Sequence, residues 1–131
     1  MVEIAAKADA PIDPIALRRA FGTFATGVTV ITTRDEDGTP RGMTPNSFAS
    51  VSLDPPLLLA CLARSSETLA AIRAERRFAV NILAAEQRHH SDRFAKKGDA
   101  VRSHEVEFDD HDLGVPVLPD SLAAVVCEVE A

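Results

Sequence analysis

The sequence predicts a single mainly β domain: an antiparallel barrel with peripheral helices that cover its ends. Short β-branched or alternating segments, turn signals between neighbouring segments, and only two or three amphipathic stretches at helical spacing indicate this class. The order of the segments does not fit a doubly wound parallel sheet. The 131 residues are enough for one core. We expect an N-terminal arm at residues 1–11 and one domain at residues 12–131.

The charge balance argues against a nucleic-acid partner. The chain has 14 Lys and Arg against 20 Asp and Glu, for a net charge of -6, and its positive residues are scattered rather than gathered in a stripe. The N-terminus has no apolar signal region, and the longest uncharged apolar run, Pro55–Ala63, is too short to cross a membrane. We expect a cytoplasmic protein with no nucleic-acid or membrane partner.

The domain opens with a predicted helix and hairpin. Asp13 is a typical N-cap with Pro14 at the first helical position, and the helix is expected to run to Gly27. Its apolar face is formed by Leu17, Ala20, Phe21 and Phe24. The alternating segment Val28–Arg34, the Asp37-Gly38 turn signal and the extended segment Arg41–Leu53 predict a hairpin.

The middle of the chain predicts a buried strand, a helix and another strand. Because Pro55–Ala63 is continuously apolar, we expect a central strand covered on both faces. Ser65 and Ser66 are expected to cap the helix that follows. Phe78–Leu83 is the next predicted strand, in which Asn81 is a buried amide that bonds a loop backbone.

The last third predicts a helix, a long excursion and a final strand. Residues 84–97 are expected to form a surface helix, and residues 98–120 an irregular segment with a short strand at Val106–Phe108. The alternating segment 121–131 places Val125, Cys127 and Val129 on one face. Nothing caps this strand, so we expect a long open edge, which implies a chain that is incomplete or completed by a partner.

The cysteines and histidines do not form a recognisable metal or redox motif. Cys61 and Cys127 lie in apolar runs without C-x-x-C spacing, so we expect buried, reduced thiols. His89 and His90 are adjacent and would point about 100° apart on a helix, which is poor geometry for one metal ion. The sequence also contains no dinucleotide-binding glycine motif, P-loop or H-E-x-x-H motif.

One segment is unusual because it is polar but uncharged. From Gly42 to Pro56 the chain reads GMTPNSFASVSLDPP, with small side chains and no charge before Asp54. Such a segment is too polar for a core strand and too apolar for an ordinary loop, although an edge strand with ordinary turn polarity remains an alternative.

The region around this segment resembles a known family. Residues 21–83 read FGTFATGVTVITTRDEDGTPRGMTPNSFASVSLDPPLLLACLARSSETLAAIRAERRFAVNIL and are similar to the flavin reductase-like family, the small reductase components of two-component flavin-dependent monooxygenases. The resemblance continues to about Ala95 and, more weakly, over Pro116–Ala131. It implies an FMN-binding split barrel of antiparallel, Greek-key-like topology that forms a homodimer.

The resemblance also implies an activity. Members bind FMN or FAD, reduce it by hydride transfer from NADH or NADPH, and supply the reduced flavin to a partner oxygenase. Members usually continue beyond this chain's last strand with a Gly-Asp-His motif, so C-terminal strands are expected to be absent here, with weak flavin binding and slow NADH turnover. Pro45 stands where members more often have Val or Ala.

Carried onto this sequence, the resemblance implies three groups of flavin-binding residues. The first surrounds the isoalloxazine ring, where short side chains let backbone amides approach, and comprises Thr44, Pro45, Asn46, Ser47 and Ser50. The second holds the phosphate and ribityl chain at a helix N-terminus and comprises Ala63, Arg64, Ser65, Ser66 and Thr68. The third adds a phosphate contact and comprises Arg93, Phe94 and Lys97. Ordinary helix capping and a solvated basic helix end are the respective alternatives for the last two groups.

No catalytic side chain and no metal ligand are expected, because hydride transfer between two cofactors requires proximity and orientation rather than an acid or base. One competing function is a non-catalytic flavin-binding or interaction module of the same fold. Another is a barrel like that of the pyridoxamine-phosphate oxidases, which would require a more basic phosphate cluster than Arg64 alone.

Overall fold

The computed structural model describes residues 11–45, 47–97 and 105–130. Most of the predicted N-terminal arm and His104 therefore lie outside the described residues. The described part is mainly antiparallel β-structure with three α-helices. In chain order the elements are α1 (Pro14–Gly22), β1 (Thr29–Arg34), β2 (Pro40–Met43), β3 (Phe48–Leu53), β4 (Pro56–Ala60), α2 (Glu67–Glu75), β5 (Arg77–Ile82), a 3-10 turn (Ala85–Gln87), α3 (Arg88–Phe94), β6 (Asp109–Asp110), β7 (Pro116–Val117) and β8 (Ala123–Glu128).

The largest sheet has four strands in the order β2-β1-β5-β8. All its neighbours are antiparallel, and β8 runs alongside the whole of β5, from Arg77 opposite Glu128 to Ile82 opposite Ala123. The predicted first hairpin and final strand are confirmed. In this sheet β8 is an edge strand, as the sequence led us to expect.

The two faces of this sheet carry separate apolar clusters. Ile31 and Val80 point to one face, where they pack with Ile72 of α2. Val30 lies on the opposite face, where it packs with Leu83, Phe94, Leu118 and the partly buried Val106 and Phe108. Alternate side chains of β1 point to opposite sides of the sheet, and so the short strand contributes to both cores.

Asn81 stabilises the second face, as predicted. Its amide nitrogen donates to the Val30 carbonyl (2.9 Å) and to Thr32 Oγ1 (3.0 Å), and its oxygen accepts from the Leu118 backbone amide (2.9 Å). The Thr32 hydroxyl in turn donates to the Pro116 carbonyl at 2.5 Å. These buried bonds fasten the segment that contains β7 to the central strands.

Strands β3 and β4 form a separate two-stranded hairpin, and the prediction of a central, doubly covered strand at Pro55–Ala63 is wrong. Leu58 and Ala60 pack against the first face of the large sheet. Leu57 and Leu59 are 40% and 54% exposed. The continuous apolar run therefore has one face in the core and one apolar face on the surface of the chain.

Local signals at the element ends are largely confirmed. Asp13 caps α1 by accepting from the Ile15 amide (3.0 Å), but the helix ends at Gly22 rather than Gly27. In the β1–β2 turn the Asp35 amide donates to the Thr39 carbonyl (2.9 Å) and the Asp35 carbonyl accepts from the Gly38 amide (2.8 Å). Gly38 has φ +81°, in the left-handed region that glycine adopts without strain.

Three smaller predictions need correction. The short strand expected at Val106–Phe108 lies at Asp109–Asp110, where it pairs with β7. The predicted surface helix at residues 84–97 is shorter, because it consists of the 3-10 turn followed by α3. Cys61 is exposed and Cys127 only half-buried; Cys61 was expected to be buried because β4 was expected to be central. Over the described residues, no helix is long and apolar enough to cross a membrane.

Candidate functional site

Residues 44–47 of the uncharged segment connect β2 to β3, and Thr44 is held by α3. The Thr44 amide donates to the Phe94 carbonyl (3.1 Å), and the Thr44 hydroxyl donates to the Ser91 carbonyl (2.9 Å). Pro45 is buried next to it. Asn46 lies outside the described residues, so its predicted ring contact remains a prediction.

The other side of the segment is held by the end of β4. The Ser47 hydroxyl donates to the Cys61 carbonyl, and the Cys61 amide donates to the Ser47 carbonyl (3.2 Å). Ser50 follows on β3 and is exposed. Thr44 is thus held by α3 and Ser47 by the end of β4, and neither contact uses a charged side chain.

The start of α2 contains the second predicted group. Ser66 is the N-cap, and its hydroxyl accepts from the Leu69 amide (3.3 Å), which confirms the predicted cap. The same hydroxyl donates to the thioether sulfur of Met43 (3.6 Å). Because a thioether is a weak acceptor, this proton remains available to a stronger one, such as a phosphate oxygen.

The remaining residues of that group divide by exposure. Ala63, Arg64 and Ser65 are exposed in the turn before the helix, whereas Thr68 is 3% exposed. The surface at the N-terminus of α2 therefore includes Arg64, Ser65, the half-buried Ser66 and the exposed Glu67. The Ser66 to Met43 contact places this surface next to the last residue of β2, within the uncharged segment.

Arg41 is a residue of this region that sequence reasoning missed. It is 7% exposed, and its guanidinium contacts Asp35 Oδ1 through Nε (2.7 Å) and Glu67 Oε2 through Nη1 (2.9 Å). The signal in the sequence was an arginine two residues before Met43 on a short strand. Alternation places the two side chains on the same face, and a buried cation requires an acidic partner.

The third predicted group lies on α3 and is only partly at the surface. Phe94 is 1% exposed and Lys97 is exposed. Arg93 is one-third exposed; its Nη1 lies 3.9 Å from Glu105 Oε2, and its Nε is buried without a hydrogen-bond partner among the residues that the structure describes. An unpartnered guanidinium nitrogen is what a bound anion would satisfy.

His90 lies on the same helix, three residues before Arg93. Burial, with smaller contributions from the charges of His89 and Arg93, lowers the pKa of His90. Its Nδ1 is buried and has no hydrogen-bond partner among the described residues. Within the described ranges, no group of three or more His, Cys, Asp or Glu could hold a metal ion.

Two cavities of the described residues are lined by other residues than the predicted ones. One, of about 430 Å³, lies beside the β1–β2 turn and is lined by Arg34, Asp37, Gly38, Thr39, Pro40, Val106, Phe108 and Asp110. Another, of about 350 Å³, is lined by Val28, Leu83, Ala84, Ala85, Arg88, Ser91 and Asp92.

The Ser66 to Met43 contact brings the α2 group next to the segment that contains the predicted ring-binding group. The hydrogen bonds of Thr44 to Ser91 and Phe94 connect that segment to the α3 group. The exposed members offer hydroxyl and backbone donors, with Arg64 and Arg93 as cations. This set suits the polar edge of a flat ring and an anionic tail.

Comparison with known proteins gives a consistent result. Residues 21–131 match the flavin reductase like domain. The chain is 42% identical over 120 residues to the reductase subunit HsaB of a flavin-dependent monooxygenase from Rhodococcus jostii, covering 92% of this chain and 60% of that protein. It is 46% identical over 110 residues to the FMN reductase (NADH) SmoA of Agrobacterium fabrum, covering 84% and 62%.

A solved structure with a similar fold contains ligands. The NADH:FAD oxidoreductase SgcE6 of Streptomyces globisporus, in complex with NAD and FAD fragments, superposes with a TM-score of 0.81 at 37% identity, covering 91% of this chain and 71% of that one. The chain spans 27% to 62% of the length of the first four curated relatives that it matches.

Proposed function

Because the chain belongs to the flavin reductase-like domain family, we propose that it reduces FMN or FAD with NADH or NADPH and supplies the reduced flavin to a partner monooxygenase. Three relatives support this proposal: HsaB, the reductase subunit of a flavin-dependent monooxygenase; SmoA, an FMN reductase (NADH); and SgcE6, solved in complex with NAD and FAD fragments. The observation from the chain itself that carries most weight is the contact between Ser66 and Met43, which joins the α2 N-terminus to the uncharged segment.

In the proposed binding mode, the uncharged segment contacts the ring and α2 holds the phosphate. Thr44, Asn46, Ser47 and Ser50 surround the isoalloxazine, with Pro45 stiffening the backbone. Ser65, Ser66 and the first amides of α2 bind the phosphate, with Ala63, Arg64 and Thr68 completing that turn. Arg93 and Lys97 add positive charge from α3, and Phe94 supports them from the core.

Two features of this chain fit an anionic flavin. The Ser66 hydroxyl donates to a sulfur atom, and Arg93 Nε has no hydrogen-bond partner in the described part of the chain. When bound, the flavin supplies the hydride acceptor. The protein's part is to hold and orient it beside the nicotinamide, because hydride transfer depends on a separation of about 3 to 3.5 Å rather than on a protein acid or base.

We further propose that the β3–β4 hairpin and the four-stranded sheet are parts of an FMN-binding split barrel that functions as a homodimer. Five apolar side chains of the hairpin are between 38% and 90% exposed, namely Phe48, Val51, Leu53, Leu57 and Leu59. By the register of the hairpin, Leu57 and Leu59 lie on the face opposite the core-packed Leu58 and Ala60, and exposed apolar side chains grouped on one strand face are typical of an interface. A second copy on this face would cover them.

The test is a pair of measurements on the purified chain: flavin binding by fluorescence titration with FMN and FAD, and oxidation of NADH and NADPH with excess flavin. We expect saturable flavin binding and flavin-dependent consumption of reduced nicotinamide. Flavin binding without nicotinamide oxidation would instead favour a non-catalytic flavin-binding module. Absence of both would contradict the proposal.

A further inference from the structure

We propose that Arg41 is a positioning residue for the flavin phosphate, because it neutralises Glu67 and fixes the first turn of α2. This inference rests on the proposed phosphate site at that helix. Arg41 itself would not contact the flavin. Its effect would pass through Glu67, whose backbone is part of the turn that receives the phosphate.

The geometry ties three elements together around one buried guanidinium. Arg41 on β2 contacts Asp35 in the β1–β2 turn at 2.7 Å and Glu67 on α2 at 2.9 Å. The side chains of Arg41 and Asp35 are 8% and 17% exposed, whereas that of Glu67 is 70% exposed. The ion pair therefore extends from the protein interior to the surface at the beginning of α2.

The location of Glu67 makes its charge important. Glu67 is the first residue of α2, directly after the N-cap Ser66. A carboxylate here interacts favourably with the helix dipole, but a phosphate bound to the same amides would be repelled by it. Pairing with Arg41 offsets this repulsion, so that the positive end of the helix remains available to a second anion.

The same strand face also holds the N-cap. Arg41 and Met43 alternate on β2, and Met43 accepts the hydrogen bond from the Ser66 hydroxyl while Arg41 binds Glu67. Two consecutive residues of the helix start are thus fixed to two side chains of one strand. Removing Arg41 should therefore disturb both the charge and the placement of the turn.

The experiment compares FMN with riboflavin, which lacks the phosphate, by fluorescence titration. In Arg41→Gln we expect FMN to bind about tenfold more weakly, with riboflavin changed by less than about twofold. The double variant Arg41→Gln/Glu67→Gln should recover most of the FMN affinity, because the first turn of α2 then carries no unpaired carboxylate. Arg77→Gln, which removes an exposed ion pair with Glu128, is the matched control and should change neither affinity.

The variant Glu67→Gln provides a second test that can still be made if Arg41→Gln does not fold. Glu67→Gln changes an exposed side chain and leaves Arg41 paired with Asp35, so FMN should bind equally well or about two- to threefold more tightly, and riboflavin should be unchanged. Weaker FMN binding in this variant would overturn the inference. Equal weakening of both flavins by Arg41→Gln, or no recovery in the double variant, would also overturn it.

The wild-type chain separates this inference from the proposal on which it depends. If the wild type binds FMN and riboflavin equally, the phosphate site itself is wrong and the role of Arg41 is wrong with it. If the wild type prefers FMN and Arg41→Gln keeps that preference, the phosphate site stands and only the role of Arg41 is overturned.

Discussion

Phe94 packs against Gly42 so closely that a Cβ atom on this glycine would lie 2.9 Å from the ring's Cδ1. The ring is 1% exposed and belongs to the core of the second sheet face. Together with the bonds of Thr44 to the carbonyls of Ser91 and Phe94, this contact attaches α3 to the end of β2. A glycine is required here because the ring occupies the place of its side chain.

Gly42→Ala should destabilise the chain by about 1 to 3 kcal/mol, because overpacking forces the ring or the strand to move. Urea unfolding measures this. Gly22→Ala, where a Cβ meets nothing within 4 Å, is the control and should cost little. In a Phe94→Leu background the Gly42→Ala penalty should shrink, since the smaller side chain makes room; fully additive penalties would contradict the contact.

His90→Gln should flatten the fall of stability in mild acid. Burial, then the charges of His89 and Arg93, lower the pKa of His90, so the unfolded chain takes up its proton at higher pH than the folded one. The contribution of His90 to the free energy of unfolding is therefore fully present above the pKa of the unfolded chain, about 6.5. It is lost as the pH falls from that value toward the lower pKa of the folded chain. Urea midpoints between about pH 7.5 and pH 5.5 measure the slope. The exposed His111→Gln is the control, and equal slopes in the two variants would exclude His90 as the cause.

Ser66→Ala should weaken FMN several-fold more than riboflavin and lower stability by about 1 kcal/mol. The hydroxyl accepts from the Leu69 amide while it donates to Met43, and the substitution removes both capabilities. Flavin titration and urea unfolding report the two effects separately. Asp13→Ala removes the cap of α1 and should lower stability without changing the FMN to riboflavin ratio. If Ser66→Ala also lowered stability without changing the FMN to riboflavin ratio, Ser66 would be a helix cap and not a phosphate ligand.

Leu59→Asp should convert a dimer into a monomer. Leu59 is 54% exposed in the centre of the apolar face of the β3–β4 hairpin, and a carboxylate buried there would lack a partner. Size-exclusion chromatography with light scattering measures the mass. Leu113→Asp, at a leucine that is 43% exposed in a loop, is the control and should remain dimeric. A wild-type chain that is monomeric at micromolar concentration would refute the homodimer.

The features that the sequence predicted well depend on a few neighbouring residues. Asp13 and Ser66 are caps because a side chain of that length reaches the amide two or three residues ahead, and Gly38 marks its turn through its own backbone preference. Asn81 was also predictable, since a polar amide within an apolar strand must find partners.

The features that were missed depend on pairing between distant segments. Leu57 and Leu59 are apolar like core residues, and only the pairing of β4 with β3 alone leaves them at the surface. Cys61 is exposed for the same reason. The link from Arg41 to Glu67 spans 26 residues, and no local pattern specifies which acid an arginine will meet. The ion pairs that support the start of α2 could therefore not be predicted from the sequence.

The topology of the central sheet has a consequence for synthesis on the ribosome. Strand β1 pairs with β5, and the Asn81 bond to Val30 joins residues 51 apart. The Thr32 bond to Pro116 spans 84 residues. Domains rich in distant contacts fold slowly. Until β5 has left the ribosome, β1 and β2 can form only an isolated hairpin, in which the edge of β1 that later pairs with β5 has no partner strand. During that interval Val30 and Ile31, which are fully buried in the folded domain, are exposed to solvent on the unpaired hairpin.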